Sequence, residues 1–367
     1  VQSLVVAPTR ELAIQVADAM QTYGGQSGVR VLAVYGGQPY SHQISRLKKG
    51  VDVAVGTPGR LLDLIRKNVL KLDQVATVVL DEADEMLNMG FYEDIKDILS
   101  KTPEDKSTWL FSATMPREVA RIAKEFMHHP EEVTMGTRNK AVDTVRHEYY
   151  LVSGRHRYDA LRRLVDANPG IFSVIFCRTK RDTQRVAEKL IDDGYSAGAL
   201  HGDLSQNQRD LVMGAFRKKQ SQLLVATDVA ARGIDVEDIT HVIHYQLPDE
   251  TETYTHRSGR TGRAGKSGVS MVIMTRSEMR RIRQLEKLIG QPFQQNTLPD
   301  GMEICEIQLY HLVSKIKETD INPEVERFLP AIQDVLEGLS RDELIQKMVT
   351  VEFSRFFEFY NKAQNID

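Results

Sequence analysis

The chain has little cysteine: two in 367 residues, Cys177 and Cys305, far apart and in unlike contexts. That argues against a disulfide framework and a cysteine-based metal site, and it suits a reducing cytoplasm. No stretch approaches the roughly 20 consecutive apolar residues that cross a bilayer. No signal peptide is visible either, so no membrane association is expected. No basic tail closes the chain. Residues 291–367 hold 7 Lys/Arg against 14 Asp/Glu, a net of −7, which leaves +4 for residues 1–290. The first part could meet a polyanion. The acidic last part is a poor nucleic-acid binder and suits protein contact better. Hydrophobic residues make up 41% and charged residues 27%, ordinary for a globular chain long enough for two or three domains.

What is present is a βα rhythm with a polar motif after each strand. A strand over Val1–Ala7 runs into Pro8-Thr9-Arg10-Glu11-Leu12-Ala13 and the helical spacing Leu12, Val16, Ala19, Met20. Thr9 reads as an N-cap with Arg10 in the first turn. Such a helix start suits a phosphate, and it reads equally as a capped helix with a solvent-facing arginine. Strand Val29–Tyr35 ends in Gly36-Gly37, which permits close backbone approach to a ligand or merely a turn. Strand Val51–Val55 leads to Gly56-Thr57-Pro58-Gly59-Arg60, with Thr57 as cap and Pro58 at the first helical position.

The apolar run Val75–Leu80 reads as a buried parallel strand and ends in Asp81-Glu82-Ala83-Asp84. Ligands of open α/β sheets bind beyond the carboxyl ends of strands. An Asp-Glu pair there either holds Mg²⁺ beside a nucleoside triphosphate or only caps the next helix. Strand Thr108–Phe111 ends in Ser112-Ala113-Thr114. Five polar strand endings within 115 residues, on one expected rim, are hard to obtain by chance.

In this order the strings PTRELA, GG, TPGR, DEAD and SAT resemble the first RecA-like lobe of the DEAD-box RNA helicases. The resemblance implies that Pro8, Thr9, Arg10, Gly37, Thr57, Pro58 and Arg60 contact the RNA backbone. It implies that Asp81 and Glu82 serve Mg²⁺, partly through water, and the hydrolytic water. Asp84, Ser112 and Thr114 would couple hydrolysis to RNA binding. Members of the family carry a glutamine motif and a Walker A loop upstream of PTRELA, and this sequence starts too late for either. The stretch Gly259 to Ser267 is one residue too long for G-x-x-x-x-G-K-[ST] and leaves a helix rather than a strand, so it is a decoy. Without the loop the chain as given is expected to bind ATP poorly and to be inactive. A shortened sequence explains this more simply than a natural helicase without its ATP loop.

Residues 137–146 are polar and read as an interdomain linker. The βα pattern then resumes. A strand begins at His147, and Val174–Cys177 ends at Arg178, with Cys177 as a small core residue. Ala197–Leu200 leads to His201-Gly202-Asp203-Leu204-Ser205-Gln206, where Ser205 and Gln208 form a capping box. That box places Gln206 and Arg209 in an exposed first turn. Gln222–Ala226 runs into Thr227-Asp228 and a short helix that Gly233 would end, and His241–Tyr245 follows. Arg257, Arg260 and Arg263, spaced by three, read either as a solvated basic face or as arginine fingers.

These segments resemble the second lobe of the same family. The resemblance makes Arg260 and Arg263 the fingers, places His256 between the ATP site and the other lobe, and brings Gly233 and Asp235 to the nucleotide. It brings Arg178, Gln206, Arg209, Thr227 and Arg232 to RNA or to the ties between motifs. The expected fold is α/β: two RecA-like parallel-sheet lobes, the first truncated at its N-terminus and covering residues 1–136, the second residues 147–290. A small all-α module, residues 302–367, completes it. The implied activity is RNA-stimulated ATP hydrolysis that closes two lobes on ATP and single-stranded RNA and unwinds local duplexes, in the cytoplasm, with Mg²⁺. The alternative, argued from the absent loop, is a non-catalytic RNA clamp or dimeric scaffold.

The tail is helical in pattern. Cys305, Leu309, Leu312 and Ile316 are spaced 4, 3, 4, and Asn322 with Pro323 opens a run of Val325, Leu329, Ile332, Leu336 and Leu339. Ser340 and Glu343 form another capping box. Phe353, Phe356, Phe357, Phe359 and Tyr360 on the last helix imply burial on more than one face. The tail is either a cap packed on the second lobe or, by similarity to the dimerisation module of bacterial cold-shock DEAD-box helicases, the seat of a homodimer.

Overall fold

The computed structural model describes residues 1–134, 144–231, 234, 236–263 and 265–361. Most of the expected linker, and Arg232, Gly233 and Asp235, lie outside the described residues. The chain divides into two compact units. The first comprises residues 1–142, 200–217 and 226–237, and the second residues 143–199, 218–225 and 238–367.

The first unit carries a sheet of β1 (Ser3–Val6), β2 (Val31–Val34), β3 (Val53–Gly56), β4 (Thr77–Leu80) and β5 (Ser107–Leu110), in the order β2-β3-β1-β4-β5. Every adjacent pair is parallel. The apolar runs of β1 to β4 follow from burial, whereas the edge strand β5, Ser-Thr-Trp-Leu, is exposed or half-buried along its length. On β1, Leu4 and Val6 join a core with Leu61, Leu64, Ile95, Ile98, Val119 and Ile122 from helices Pro58–Arg66, Tyr92–Leu99 and Arg117–Phe126. Val5 and Ala7 point to the other face, against Ala13 and Ala17 of helix Arg10–Gly24. All five expected strands are present: β1, β2 and β4 are shorter than expected, β3 runs from Val53 to Gly56, and β5 keeps its length but starts one residue earlier, at Ser107.

The second sheet is β6 (Val145–Leu151), β7 (Ser173–Cys177), β8 (Ala197–Leu200), β9 (Leu223–Thr227), β10 (His241–His244), β11 (Gly268–Met274) and β12 (Gln294–Asn296). Its order is β12-β6-β11-β10-β7-β9-β8. The strand expected to begin at His147 starts at Val145, so the last two residues assigned to the linker are sheet. Cys177 is fully buried in this core, and burial pushes its thiol up to about 12.

The tail folds as helices Gly301–Glu318, Leu329–Leu336 and Arg341–Asn361. Asp300 with Glu303 forms a capping box on the first, and the expected Ser340–Glu343 box is present on the last. The first and last helices enclose Ile304, Cys305, Phe353 and Tyr360, with Ala167 of the second unit packed against them. Tyr360 OH donates to the buried Asp166, which also accepts from Tyr195 OH at 2.8 Å. Among the described side chains the aromatic crowding is not buried on several faces. Phe357 and Phe359 stay about 40% exposed while Phe353 and Tyr360 are buried. In the run from Val325 to Leu339, Val325, Leu329 and Ile332 are exposed, while Leu336 and Leu339 are half-buried.

Candidate nucleic-acid and nucleotide site

The acidic corner is built by β4, which delivers Asp81 and Glu82 at its carboxyl end. Asp81 Oδ1 accepts the Glu82 N–H at 3.0 Å. Burial raises the Asp81 carboxyl above its ordinary range, and that N–H offsets only part of the effect. Glu82 has φ 48° and ψ 54°, the left-handed region, which a non-glycine residue occupies at a cost of about 1 kcal/mol. It sits at the start of helix Ala83–Asn88. A desolvated carboxylate beside a second one, on strained backbone, fits a cation. No group of three or more His, Cys, Asp or Glu gathers to hold a metal among the described residues. Mg²⁺ commonly takes one or two carboxylates and fills its shell with phosphate oxygens and waters, so the pair suffices.

Asp84 is buried, and the structure joins it to both other residues expected to couple the sites. Its Oδ2 accepts from Thr114 N–H at 2.9 Å and Thr114 Oγ1 at 2.6 Å. Its own N–H donates to Ser112 Oγ at 3.2 Å, and the Ser112 hydroxyl donates to Thr114 O at 2.6 Å. The end of β5 is thus held on the helix that starts at the acidic corner.

A cleft of about 580 Å³ lies within the first unit, and its lining includes Pro8, Thr9, Arg10, Thr57, Arg60 and Arg209. Thr9 caps its helix, accepting from Leu12 N–H at 3.3 Å. Thr57 makes no side-chain cap, contrary to expectation, while Pro58 holds the first helical position as expected. The glycine pair forms a turn, one of the two sequence readings, and a close approach comes with it. Gly37 has φ 85°, and a Cβ there would lie 2.6 Å from Arg10 Nη1. The group that approaches closely is the Arg10 guanidinium, which also donates to Gln206 Oε1 at 2.9 Å.

Arg209 is not on an exposed turn. Its Nε donates to Glu11 Oε1 at 2.9 Å, and its Nη2 lies 2.5 Å from the same oxygen. The two side chains are only 11% and 12% exposed. Removing water from around both ions strengthens their Coulombic attraction. Thr227 is buried, and its Oγ1 accepts from Ala230 N–H at 3.4 Å. Arg60 donates from Nη1 and Nη2 to Gln38 O, and from Nη1 to Gln43 Oε1, all at 3.2 Å.

In the second unit Arg178 pairs with Asp249, and its N–H donates to Gln246 Oε1 at 2.9 Å. The three arginines do not share one basic face. Helix Thr251–Ser258 ends before Arg260. Arg257 is 2% exposed, donates to Gln246 O at 2.7 Å and lies 5.0 Å over the Phe176 ring. Arg260 Nε donates to His256 O at 3.3 Å, and the exposed Arg263 donates from Nε to Gly259 O at 2.8 Å. Gly259 leaves a helix, as expected of the decoy.

A buried network underlies that helix, and the motif reading missed it. Tyr254 OH lies 2.8 Å from both His147 Nδ1 and Ser270 Oγ. Ser270 Oγ also meets Ser258 Oγ at 3.0 Å and His244 Nε2 at 3.1 Å. The His244 and Tyr254 rings stack at 4.3 Å. Burial holds His147 near 4. Burial first, then Arg257 and His147, keep His244 well below its ordinary value. The one sequence signal was a polar residue inside an apolar strand, Ser270 in β11; His147 lies between Arg146 and Glu148 in β6 and gives no such signal.

Two parallel α/β sheets with polar motifs at the ends of their strands define a RecA-like architecture. The chain matches family models for the DEAD/DEAH box helicase domain over residues 1–122 and the helicase conserved C-terminal domain over 156–265. A third, the helical domain of a probable ATP-dependent RNA helicase, matches 304–361. It is 44% identical to the DEAD-box ATP-dependent RNA helicase CshA of Geobacillus kaustophilus over 92% of this chain and 72% of that protein. It is 40% identical to the ATP-dependent RNA helicase CshA of Limosilactobacillus reuteri over 95% of this chain and 70% of that one. S. cerevisiae Dbp5 bound to RNA and ADP-BeF3 aligns with a TM-score of 0.74 at 29% identity, covering 84% of this chain and 81% of Dbp5. The chain belongs to the DEAD-box ATP-dependent RNA helicases, a family of RNA-stimulated ATPases. The comparisons lend no support to the scaffold alternative. No helix among the described residues is long and apolar enough to cross a membrane.

Proposed function

We propose that the chain acts as an ATP-dependent RNA helicase that separates local duplexes or remodels RNA–protein complexes without reading sequence. The observation that carries this is the cleft of the first unit. It combines two helix starts, at Thr9 and Pro58, with three guanidiniums, Arg10, Arg60 and Arg209. Its carboxylates, Glu11 and Asp63, are engaged by Arg209 and Lys67. Helix-start N–H groups and guanidiniums suit phosphates, which position a strand but carry no sequence information.

The RNA contacts in this reading are Pro8, Thr9, Arg10, Gly37, Thr57, Pro58, Arg60, Gln206, Arg209 and Thr227 of the first unit, with Arg178 of the second. Asp81 and Glu82 hold Mg²⁺, partly through water, and orient the attacking water. When bound, Mg²⁺ would supply positive charge that offsets the charge of the transferred phosphoryl group. Asp84, Ser112 and Thr114 carry RNA occupancy to that corner through their shared hydrogen bonds. Arg260 and Arg263 offset the charge of the transferred phosphoryl group, with His256 beside them and with Gly233 and Asp235 as further nucleotide contacts. These groups lie in different units, so turnover draws on both. In a preparation that turns over ATP, Arg263→Ala is expected to lower RNA-stimulated hydrolysis by about 10³-fold or more. Unchanged turnover overturns the assignment.

The reading keeps residues 1–136 and 147–290 as the two lobes and residues 302–367 as a homodimerisation module. The occupant of the module's exposed apolar run, Val325, Leu329 and Ile332, is a second copy of the chain. An uncovered surface of that kind is otherwise unfavourable in water. Light scattering with and without residues 302–367 tests this, and a monomer in both cases rules it out. Two free buried cysteines agree with a cytoplasmic setting.

A further inference from the structure

Arg60 stands in the cleft wall with only part of its hydrogen-bonding capacity used. A guanidinium has five N–H donors. Nη1 serves Gln38 O and Gln43 Oε1, and Nη2 serves Gln38 O, which leaves the Nε–H and one Nη2–H. All of these protein contacts come from the segment after Gly36-Gly37. So does a fourth that no motif assigns: Arg60 Cζ lies 4.0 Å from the centroid of the Tyr40 ring. Tyr40 also lines the cleft.

The Tyr40 ring is itself fixed. Tyr40 is the first residue of helix Tyr40–Lys49, directly after Pro39. Its hydroxyl bonds to Asp63, and Lys67 Nζ lies 3.9 Å from its ring centroid. Asp63, on helix Pro58–Arg66, pairs at 3.3 Å with Lys67, the residue that caps the helix C-terminus. The Asp63 carboxyl is held below its ordinary range by the Tyr40 hydroxyl first, then by Lys67 and Arg60. Two cations of one helix are therefore gathered on one aromatic ring, and the ring's OH is tied back to the same helix. A cation–π contact occupies the flat face of a guanidinium and leaves its edge to a phosphate. Without the ring, Arg60 keeps its charge but loses the surface that sets its plane.

We propose that Tyr40 is a positioning residue for RNA binding: its ring orients the Arg60 guanidinium so that the free N–H edge meets a phosphate of the bound strand. This rests on reading the cleft as the RNA site, and the test separates the two. The affinity of the full chain for fluorescein-labelled single-stranded oligouridine is measured by anisotropy over a range of salt. The variants are Arg60→Ala, Tyr40→Leu, Tyr40→Gln, Tyr40→Phe and the double variant Tyr40→Leu/Arg60→Ala.

Tyr40→Leu and Tyr40→Gln are expected to weaken binding by about three- to tenfold. Tyr40→Phe keeps the ring and rescues most of that loss. In the Arg60→Ala background Tyr40→Leu is expected to add less than about twofold, because the residue acts through Arg60. Arg60→Ala is expected to reduce the salt slope by about 0.7, the share of one phosphate on a single strand. A merely structural role for Tyr40 would instead give losses that add to those of Arg60→Ala, and that result overturns the proposal. So does native affinity in both Tyr40→Leu and Tyr40→Gln while Arg60→Ala weakens binding. If Arg60→Ala itself binds as tightly as the native chain, the cleft reading fails, and the proposal with it. Reading Leu and Gln together guards against a folding defect in one of them.

Discussion

The buried network of the second unit makes a prediction about acid. His147 is 2% exposed and His244 is not exposed at all. The His147 Nε2 has no partner among the described residues, so a proton placed there would be buried and unsatisfied. The folded state therefore holds both rings neutral, while an unfolded histidine titrates near 6.5. The sign follows. Above pH 6.5 neither state binds the proton and the stability is complete. As the pH falls below 6.5 the unfolded chain takes up protons that the folded chain refuses, so stability falls until the folded value is reached. For His147, held near 4, that window runs from about 6.5 to 4. The loss is about 2 kcal/mol at pH 5 and about 3 kcal/mol at pH 4 for this ring alone, and His244 adds to it in the same direction. Hydrogen exchange of the β10 and β11 amides at stepped pH reads the stability of this unit without the first. His147→Phe keeps the ring that stacks 5.0 Å from Phe293 and removes the titrating group. It is expected to reduce the pH slope between 6.5 and 4 by about one proton. A His147 signal that titrates in the folded protein at 6.5 or above, or an unchanged slope in the variant, refutes the reasoning.

Two further outcomes follow from the first unit. Thr114→Val removes the hydroxyl that donates to buried Asp84 and is expected to cost about 1–3 kcal/mol in urea unfolding, with Thr114→Ser recovering most of it; equal stability of native and Val forms would show that the bond contributes nothing. Gly37→Ala forces a side chain into φ 85° and against Arg10, so it is expected to cost about 1–2 kcal/mol and to weaken single-stranded RNA binding as Arg10 is displaced; native affinity in the Ala variant contradicts the packing account of that glycine.

The strands were legible because burial on both faces leaves a simple trace, a short β-branched run such as Val75–Leu80. Motif order was legible because each polar ending follows such a run. What could not be read was which charged side chains other protein atoms would take up. Arg209 and Arg257 each sit in a stretch that reads as an exposed basic turn. Glu11 lies almost 200 residues before Arg209 in sequence, and Phe176 about 80 before Arg257, so neither pairing has a local signal. Spacing of three suggested a common face for Arg257, Arg260 and Arg263, but the helix stops at Ser258 and separates the first from the others. The tail shows the opposite failure. Its apolar spacing marked a helical tail, although Pro323–Phe328 forms a 3-10 helix before the α-helix Leu329–Leu336, and spacing cannot say whether a face is covered by the same chain.

These engaged arginines also explain the residue type chosen. The side-chain cations assigned to RNA are Arg10, Arg60, Arg178 and Arg209, with no lysine among them. Each already holds a protein partner: Gln206, Gln38, Asp249 and Glu11 in turn. A lysine would spend its single compact ammonium on that contact and present no defined edge afterwards. A guanidinium divides five donors between a protein partner and a phosphate, and its plane is set by the first contact before the second forms. On the proposed RNA reading, these protein contacts would lower the ordering cost of binding a strand rather than compete with it. On this account Arg60→Lys, which keeps the charge, is expected to lose most of the affinity that Arg60→Ala loses, measured with the same oligouridine. A lysine variant that binds like the native chain would show that charge alone, and not the oriented fork, holds the phosphate.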